Sequence, residues 1–335
     1  MTEEQLKIYN KIRSEVISRG KKVEFWSYSK LMTYVQCNLQ YKFKYIDKIK
    51  SDFKANIYTD MGELTHELTE KYLNTDVSIN DIITEYRFQA EHFFKLHGLD
   101  TTHNLYKSLD HYFNNSTFLR DKKNSNSKKE FEIPIYMRLK NTPDKEYWFV
   151  GFIDMVEEDE NGNITLYDFK ISHRSGYTGK KLETVSMQVY LYAFIYQALY
   201  KRKINSIKYL FMKFCNIDFI DINSKHRVTS NVERCYIDKE FKLKDGLSDL
   251  NVTDNFIELD SDNSTITEFS KKFVNLFITT LNDKEFKPFN KDDSYCLKFC
   301  EYRKSGHCTK YDEQEPVENI LITLYKKTSR RLPPL

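Results

Sequence analysis

The chain has 335 residues, of which 30% are charged and 15% aromatic, and 52 basic side chains against 49 acidic ones leave a net charge of +3. That length suffices for one large domain or two. So small a net charge excludes nucleic-acid binding through a global basic field, so any such binding must come from a local patch. The opening MTEEQLKIYNKIRSEV lacks the apolar core of a signal peptide, and no apolar run reaches bilayer-spanning length. The expectation is a soluble, cytoplasmic protein without membrane partners, in which six cysteines serve metal binding or burial instead of disulfides.

In chain order, residues 3–19 read as an exposed helix stopped by Gly20. Ser27 or Ser29 can cap a second helix over 28–36, and Cys37 with the aromatic-basic LQYKFKYIDKIK follows. The segment YTDMGELTHELTEKYLN (58–74) is a third helix, with Met61, Leu64, Leu68 and Tyr72 at helical spacing. Gly62 in its middle costs about 1 kcal/mol relative to Ala, which points to close backbone packing or an approaching ligand. Helices follow near 78–97 and 101–114, and Asn114–Lys129 is polar enough to expect a mobile loop. Strand-like alternation then covers 130–137, 145–157 and 163–171, a helix spans 183–203, and strands lie at 206–217 and near 231–238. The polar 239–263 reads as a connection before a helix at 264–282. Helix, three strands, helix, strand makes a mixed α/β core with helical additions at both ends.

Two of those strands, WFVGFIDMV and NITLYDFKI, carry Asp154 and Asp168 near their ends, with Lys170 two places further. Asn161-Gly162 between them signals a hairpin. Carboxylates select hard cations such as Mg²⁺ or Mn²⁺, which serve phosphodiester cleavage. A two-residue loop would set Asp154 opposite Phe169, pointing it away from Asp168 and Lys170. A shared site therefore needs an odd-numbered loop or a bulge, such as a three-residue loop with left-handed Gly162. The rival reading is a surface hairpin with a solvated acid and lysine.

Other candidates surround the hairpin. His66 has Glu63 and Glu70 one turn to either side, and imidazole suits a Mn²⁺-type site if this helix packs over the hairpin mouth. Gln188 and Tyr192 share a helix face, and the loop ISHRSGYTGKK offers His173, Arg174, Lys180 and Lys181 to phosphates, though a solvated turn would look the same. Near the C-terminus Cys296, Cys300 and Cys308 form C-x3-C-x7-C, three thiols that Cys37 or His307 would have to complete. Cys215 and Cys235 lie in strand patterns and read as core residues.

GELTH, GFID, DFK and Q-x3-Y, in that order, resemble the signature of the RecB-like branch of the PD-(D/E)XK nuclease superfamily, which includes RecB and AddAB nuclease domains, CRISPR-adaptation nucleases and phage exonucleases. The resemblance implies a restriction-endonuclease-like fold over residues 27–310. It divides into a helical part (27–115), an α/β core (128–240) and a C-terminal helix with the cysteine cluster (262–310), flanked by an N-terminal helical extension (1–26) and a tail (311–335). It implies that His66, Asp154, Asp168 and the Phe169 carbonyl bind Mg²⁺ or Mn²⁺, that Lys170 assists the attacking water, and that Gln188 and Tyr192 orient the site. Glu130 or Glu132 matches a frequent family glutamate, and the sequence does not choose between them. The resemblance also implies that Cys37, Cys296, Cys300 and Cys308 hold a [4Fe–4S] cluster, with structural Zn²⁺ as the alternative because the spacing is wider than the usual one. The expected activity is a metal-dependent DNA exonuclease acting on DNA ends or single strands in recombination, repair or replication, with a helicase or recombination protein as possible partner. The alternatives are a non-catalytic DNA-binding subunit or a CRISPR-adaptation-type nuclease.

Overall fold

The computed structural model describes residues 3–50, 56–221, 225–230 and 247–287, together with Cys300, Tyr302 and Cys308. Packing divides the chain into two compact units, Met1–Tyr28 with Ala55–Ile278, and Ser29–Lys54 with Thr279–Leu335.

The first unit is built on a seven-stranded mixed sheet of β1 (Lys22–Trp26), β2 (Lys128–Asn141), β3 (Lys145–Glu158), β4 (Ile164–Lys170), β5 (Ser206–Asp221), β6 (Arg227–Ser230) and β7 (Leu247–Leu259). β3 is its hub. One edge pairs antiparallel with β2; the other is shared, with β1 running parallel along Lys145–Phe149 and β4 antiparallel along Met155–Glu158. Residues 150–154 lie between those two ladders, paired with neither, and the sheet is notched there. β4 and β5 are parallel, which requires a crossover, and α8 (Gly179–Tyr200) supplies it.

The remaining helices of this unit are α1 (Glu3–Ser18), α4 (Ile57–Asn74), α5 (Ile79–Leu96), α6 (Asn104–Asn115), α7 (Thr117–Asn124) and most of α9 (Asn263–Asn282). The stripe Met61, Leu64, Leu68 and Tyr72 on α4 is buried as its spacing requires, in a cluster with Tyr86, Phe94, Tyr112, Tyr167 and Phe169. The second unit holds most of α2 (Tyr28–Gln36), α3 (Asn38–Tyr41), a π-helical turn at Lys42–Ile46 and an apolar cluster of Cys300, Tyr302 and Cys308 against Leu39, Phe43 and Ile49. Among the described residues no helix is long and apolar enough to cross a membrane.

Four expectations need correction. α1 is not an exposed helix: Ile12 and Val16 are buried against Val150, with Ile8 and Tyr9 beside them. The N-terminal extension is not wholly helical, because Lys22–Trp26 forms β1. The expected loop at 114–129 contains α7, whose N-terminus is fastened from far away: Asp254 accepts hydrogen bonds from the hydroxyls of Ser116 and Thr117 and from the amide of Phe118. The polar 239–263 contains β7, whose Asp254 and Asn255 are buried despite their polarity. The strand expected near 231–238, with Cys235, lies outside the described residues, as do Cys296, His307 and the tail 311–335; the side chains of Lys180 and Cys215 do too.

Candidate active site

The hairpin resolves its own register. Met155 pairs with Tyr167 and Glu158 with Ile164, which sets Asp154 across from Asp168. Asp159 N donates to Asn163 O, closing a loop of Glu160, Asn161 and Gly162, and Gly162 sits at φ +78. This is the odd-numbered loop with a left-handed glycine that a shared site demands. Beyond Met155 the ladder stops. The Phe169 amide donates instead to Asp154 Oδ2 at 2.6 Å, so a carboxylate occupies the place of a strand carbonyl.

β2 and β3 change phase beside this point. Phe149 and Gly151 lie against Tyr192 of α8, yet Met155, an even step further, packs in the α4 cluster. Strict alternation would put all three on one face. Across the ladder, Glu132 takes φ +47, a backbone conformation that a residue with a side chain adopts at a cost. Because Phe131 pairs with Met155 and Ile133 with Ile153, Glu132 stands directly opposite Asp154. The sequence left Glu130 and Glu132 equal, since both fall on one face by alternation. Register separates them, and Glu130 instead pairs with Lys128.

Donor atoms of His66, Glu132 and Asp154 lie within 4.8 Å of one another. α4 brings His66, whose Nδ1 is 3.7 Å from Asp154 Oδ1 and whose ring meets Phe169 edge-on at 5.5 Å. Burial holds the imidazole pKa below its ordinary value, and a neutral imidazole is the form that ligates metal. Burial and the neighbouring Asp154 raise the Glu132 carboxyl, which also accepts a 2.9 Å hydrogen bond from Gln5 Nε2. Burial pushes Asp154 up to about 6 against the opposing influence of Lys170 and the Phe169 amide. Two like charges opposed on neighbouring strands destabilise the sheet unless a cation lies between them. One nitrogen and two hard oxygens at this separation fit Mg²⁺ or Mn²⁺.

Asp168 is placed differently. It is 4% exposed, and the Lys170 ammonium lies against its Oδ2. Burial lifts Asp168 to about 6, with Lys170 opposing and Asp154 reinforcing the rise. For Lys170, burial disfavours the ammonium, but Asp168 and Asp154 outweigh it and the pKa ends above its ordinary value. Lys170 also lies over the Tyr209 ring at 5.6 Å, and Tyr209 is the β5 partner of Asp168. The geometry thus groups His66 and Asp154 with Glu132, and sets Asp168 beside them as the partner of a charged lysine.

Gln188 Nε2 donates to the Tyr192 hydroxyl at 3.1 Å, and Tyr192 is buried under the site. This explains the glycine of GFID: a Cβ on Gly151 would meet Tyr192 and Phe149 at 3.1 Å. Gly62 has no such reason, because a Cβ there would reach only Ile171, at 3.8 Å. In the following loop His173 caps a single 3-10 turn, Arg174–Gly176, and Lys181 lies over Tyr177 at 5.5 Å. In the second unit Cys37 Sγ accepts from the Gln40 amide at 3.5 Å, and Cys37, Cys300 and Cys308 are buried. Thiols are the donor type that iron–sulfur clusters and structural zinc take.

No curated protein sequence matches the chain. Among solved structures, one described as the crystal structure of SSO0001 aligns at 15% identity over 75% of this chain and 96% of its own, with a TM-score of 0.28. The model of the PD-(D/E)XK nuclease superfamily matches residues 25–305 and so takes in β2–β7, α4 with His66, the hairpin with Asp154, Asp168 and Lys170, and α8 with Gln188. The chain belongs to the PD-(D/E)XK nuclease superfamily.

Proposed function

We propose that this protein is a RecB-like DNA nuclease, an exonuclease acting on DNA ends or single strands with Mg²⁺ or Mn²⁺. The observation that carries the reading is the convergence of His66, Glu132 and Asp154 at single-cation distance beside a buried Asp168–Lys170 pair. His66, Glu132 and Asp154 hold the cation, with Asp168 at its margin. When bound, the cation supplies Lewis acidity toward a phosphoryl oxygen and a nucleophilic water. Lys170, whose raised pKa keeps it charged, donates a hydrogen bond to the negative charge that grows on the phosphoryl oxygens. The Phe169 amide fixes the Asp154 carboxylate, and Tyr192 with Gln188 supports the floor of the site. His173 and Arg174, and Lys180 and Lys181 in the first turn of α8, contact the DNA backbone, a role their charge favours.

In the second unit, Cys37, Cys300 and Cys308, with Cys296, hold an iron–sulfur cluster. Anaerobically purified protein is then brown with broad absorbance near 400 nm, whereas a colourless protein with stoichiometric zinc refutes the cluster. The nuclease reading is tested by a time course on 5′- and 3′-labelled single-stranded and duplex DNA with Mg²⁺ or Mn²⁺. Stepwise shortening from one labelled end is expected. Absence of metal-dependent cleavage on every substrate favours the non-catalytic subunit instead.

A further inference from the structure

α1 lies before the stretch that matches the family, yet it reaches the cation-binding group. It runs along β3 and is fixed at both ends. Near its C-terminal end Arg19 forms a bidentate pair with Glu146, with both hydrogen bonds at 3.1 Å. Between the ends, Ile8, Tyr9, Ile12 and Val16 pack on Trp148, Val150 and Phe152. One turn before Ile8, Gln5 Nε2 donates to Glu132 Oε2 at 2.9 Å. Gln5 and Glu132 are 127 residues apart in sequence, so only the seating of the helix brings the amide to the carboxylate.

Glu132 needs such a hold. Its backbone is in the left-handed region, and its carboxylate faces Asp154 across the ladder. Repulsion between the two acids favours rotamers that turn Glu132 away from the cation position. An amide donor on Oε2 fixes the plane of the carboxylate and opposes that rotation. Groups that hydrogen-bond a metal ligand from behind set its orientation, and losing one typically costs about 10–100-fold in metal affinity.

We propose that Gln5 is a positioning residue for divalent-cation binding, and that α1 is an added clamp which presents Glu132 to the cation. The proposal rests on the assignment of His66, Glu132 and Asp154 as the cation site. Its test is Mn²⁺ binding to the full chain, followed by electron paramagnetic resonance of the free ion. Gln5→Met keeps the length and helix preference of the side chain but removes the donor, and Arg19→Ala breaks the other end of the clamp as a control. The expected result is an affinity about tenfold weaker for Gln5→Met, an affinity for Arg19→Ala near the unaltered protein's, and a metal-free melting temperature that falls more for Arg19→Ala. Unchanged Mn²⁺ affinity in Gln5→Met overturns the clamp and leaves the cation site standing. Equal weakening in both variants also overturns it, because α1 then acts through general stability. If Glu132→Gln binds Mn²⁺ like the unaltered protein, the assignment of the cation site itself fails.

Discussion

Two of the acids on β3, Glu146 and Asp154, have opposite surroundings. Glu146, near its start, is 1% exposed and receives two hydrogen bonds from Arg19 and one from the Trp148 indole, with Arg138 close by. Burial works to raise its pKa, but these partners prevail and leave it below the ordinary value. Asp154, eight positions along the same strand, has Lys170 and the Phe169 amide opposing its burial, but burial prevails and its pKa rises to about 6. Burial works to raise both pKa values. What differs is whether the chain itself supplies enough counter-charge and hydrogen bonding to outweigh burial. Where it does, the acid is part of the scaffold; where it does not, the site is built for a cation that comes from outside.

Removing a charged group at the Asp154 end of the strand gives the largest expected effect, and it falls on function. Asp168→Ala or Lys170→Ala should lower Mg²⁺-dependent DNA degradation by about a thousandfold or more, while circular dichroism shows an intact fold. Undiminished cleavage by either purified variant would sink the assignment. At the compensated end the pattern should invert. Glu146→Gln should cost about 2 kcal/mol in denaturant unfolding through weakened charge-assisted hydrogen bonds, discounted because Arg19 is partly in solvent, with turnover per folded molecule preserved.

The same contrast predicts a pH dependence. Asp154 and Asp168 have folded-state values of about 6, above the unfolded value of about 3.9. Between those values the folded state binds more protons, so metal-free stability falls as pH rises from about 4 to about 6. The loss is on the order of 1–3 kcal/mol per group. Melting curves across that window should show the decline, and Asp154→Asn should flatten it. Because cation binding requires the ionised carboxylates, Mn²⁺ should restore stability above pH 6 and lose its effect below about 5. The smallest effect concerns the mid-helix glycine of α4. Gly62→Ala should raise helix stability by up to about 1 kcal/mol without loss of activity, since the nearest atom to the added methyl is Ile171 Cδ1 at 3.8 Å.

The parts legible in the sequence are those in which local chemistry decides. Asn161-Gly162 signalled the hairpin, and the α4 stripe dictated which face is buried. What escaped depends on residues distant in sequence. α7 owes its first turn to Asp254, and α1 is buried because Val150 and Phe152 await it. Glu132 could not be told from Glu130, because choosing it requires the register of β2 on β3 and a backbone conformation no propensity foretells.

The stopped ladder between β3 and β4 also gives the protein an internal reporter. The Phe169 amide hydrogen is bound to the Asp154 carboxylate and not to a backbone carbonyl, so its environment depends on whether that carboxylate is protonated, ionised or drawn toward a cation. In a ¹⁵N-labelled sample, its resonance should shift with pH around 6 and again on adding diamagnetic Mg²⁺, while neighbouring strand amides stay still. One peptide bond would then report occupancy of the site without any substrate being cut.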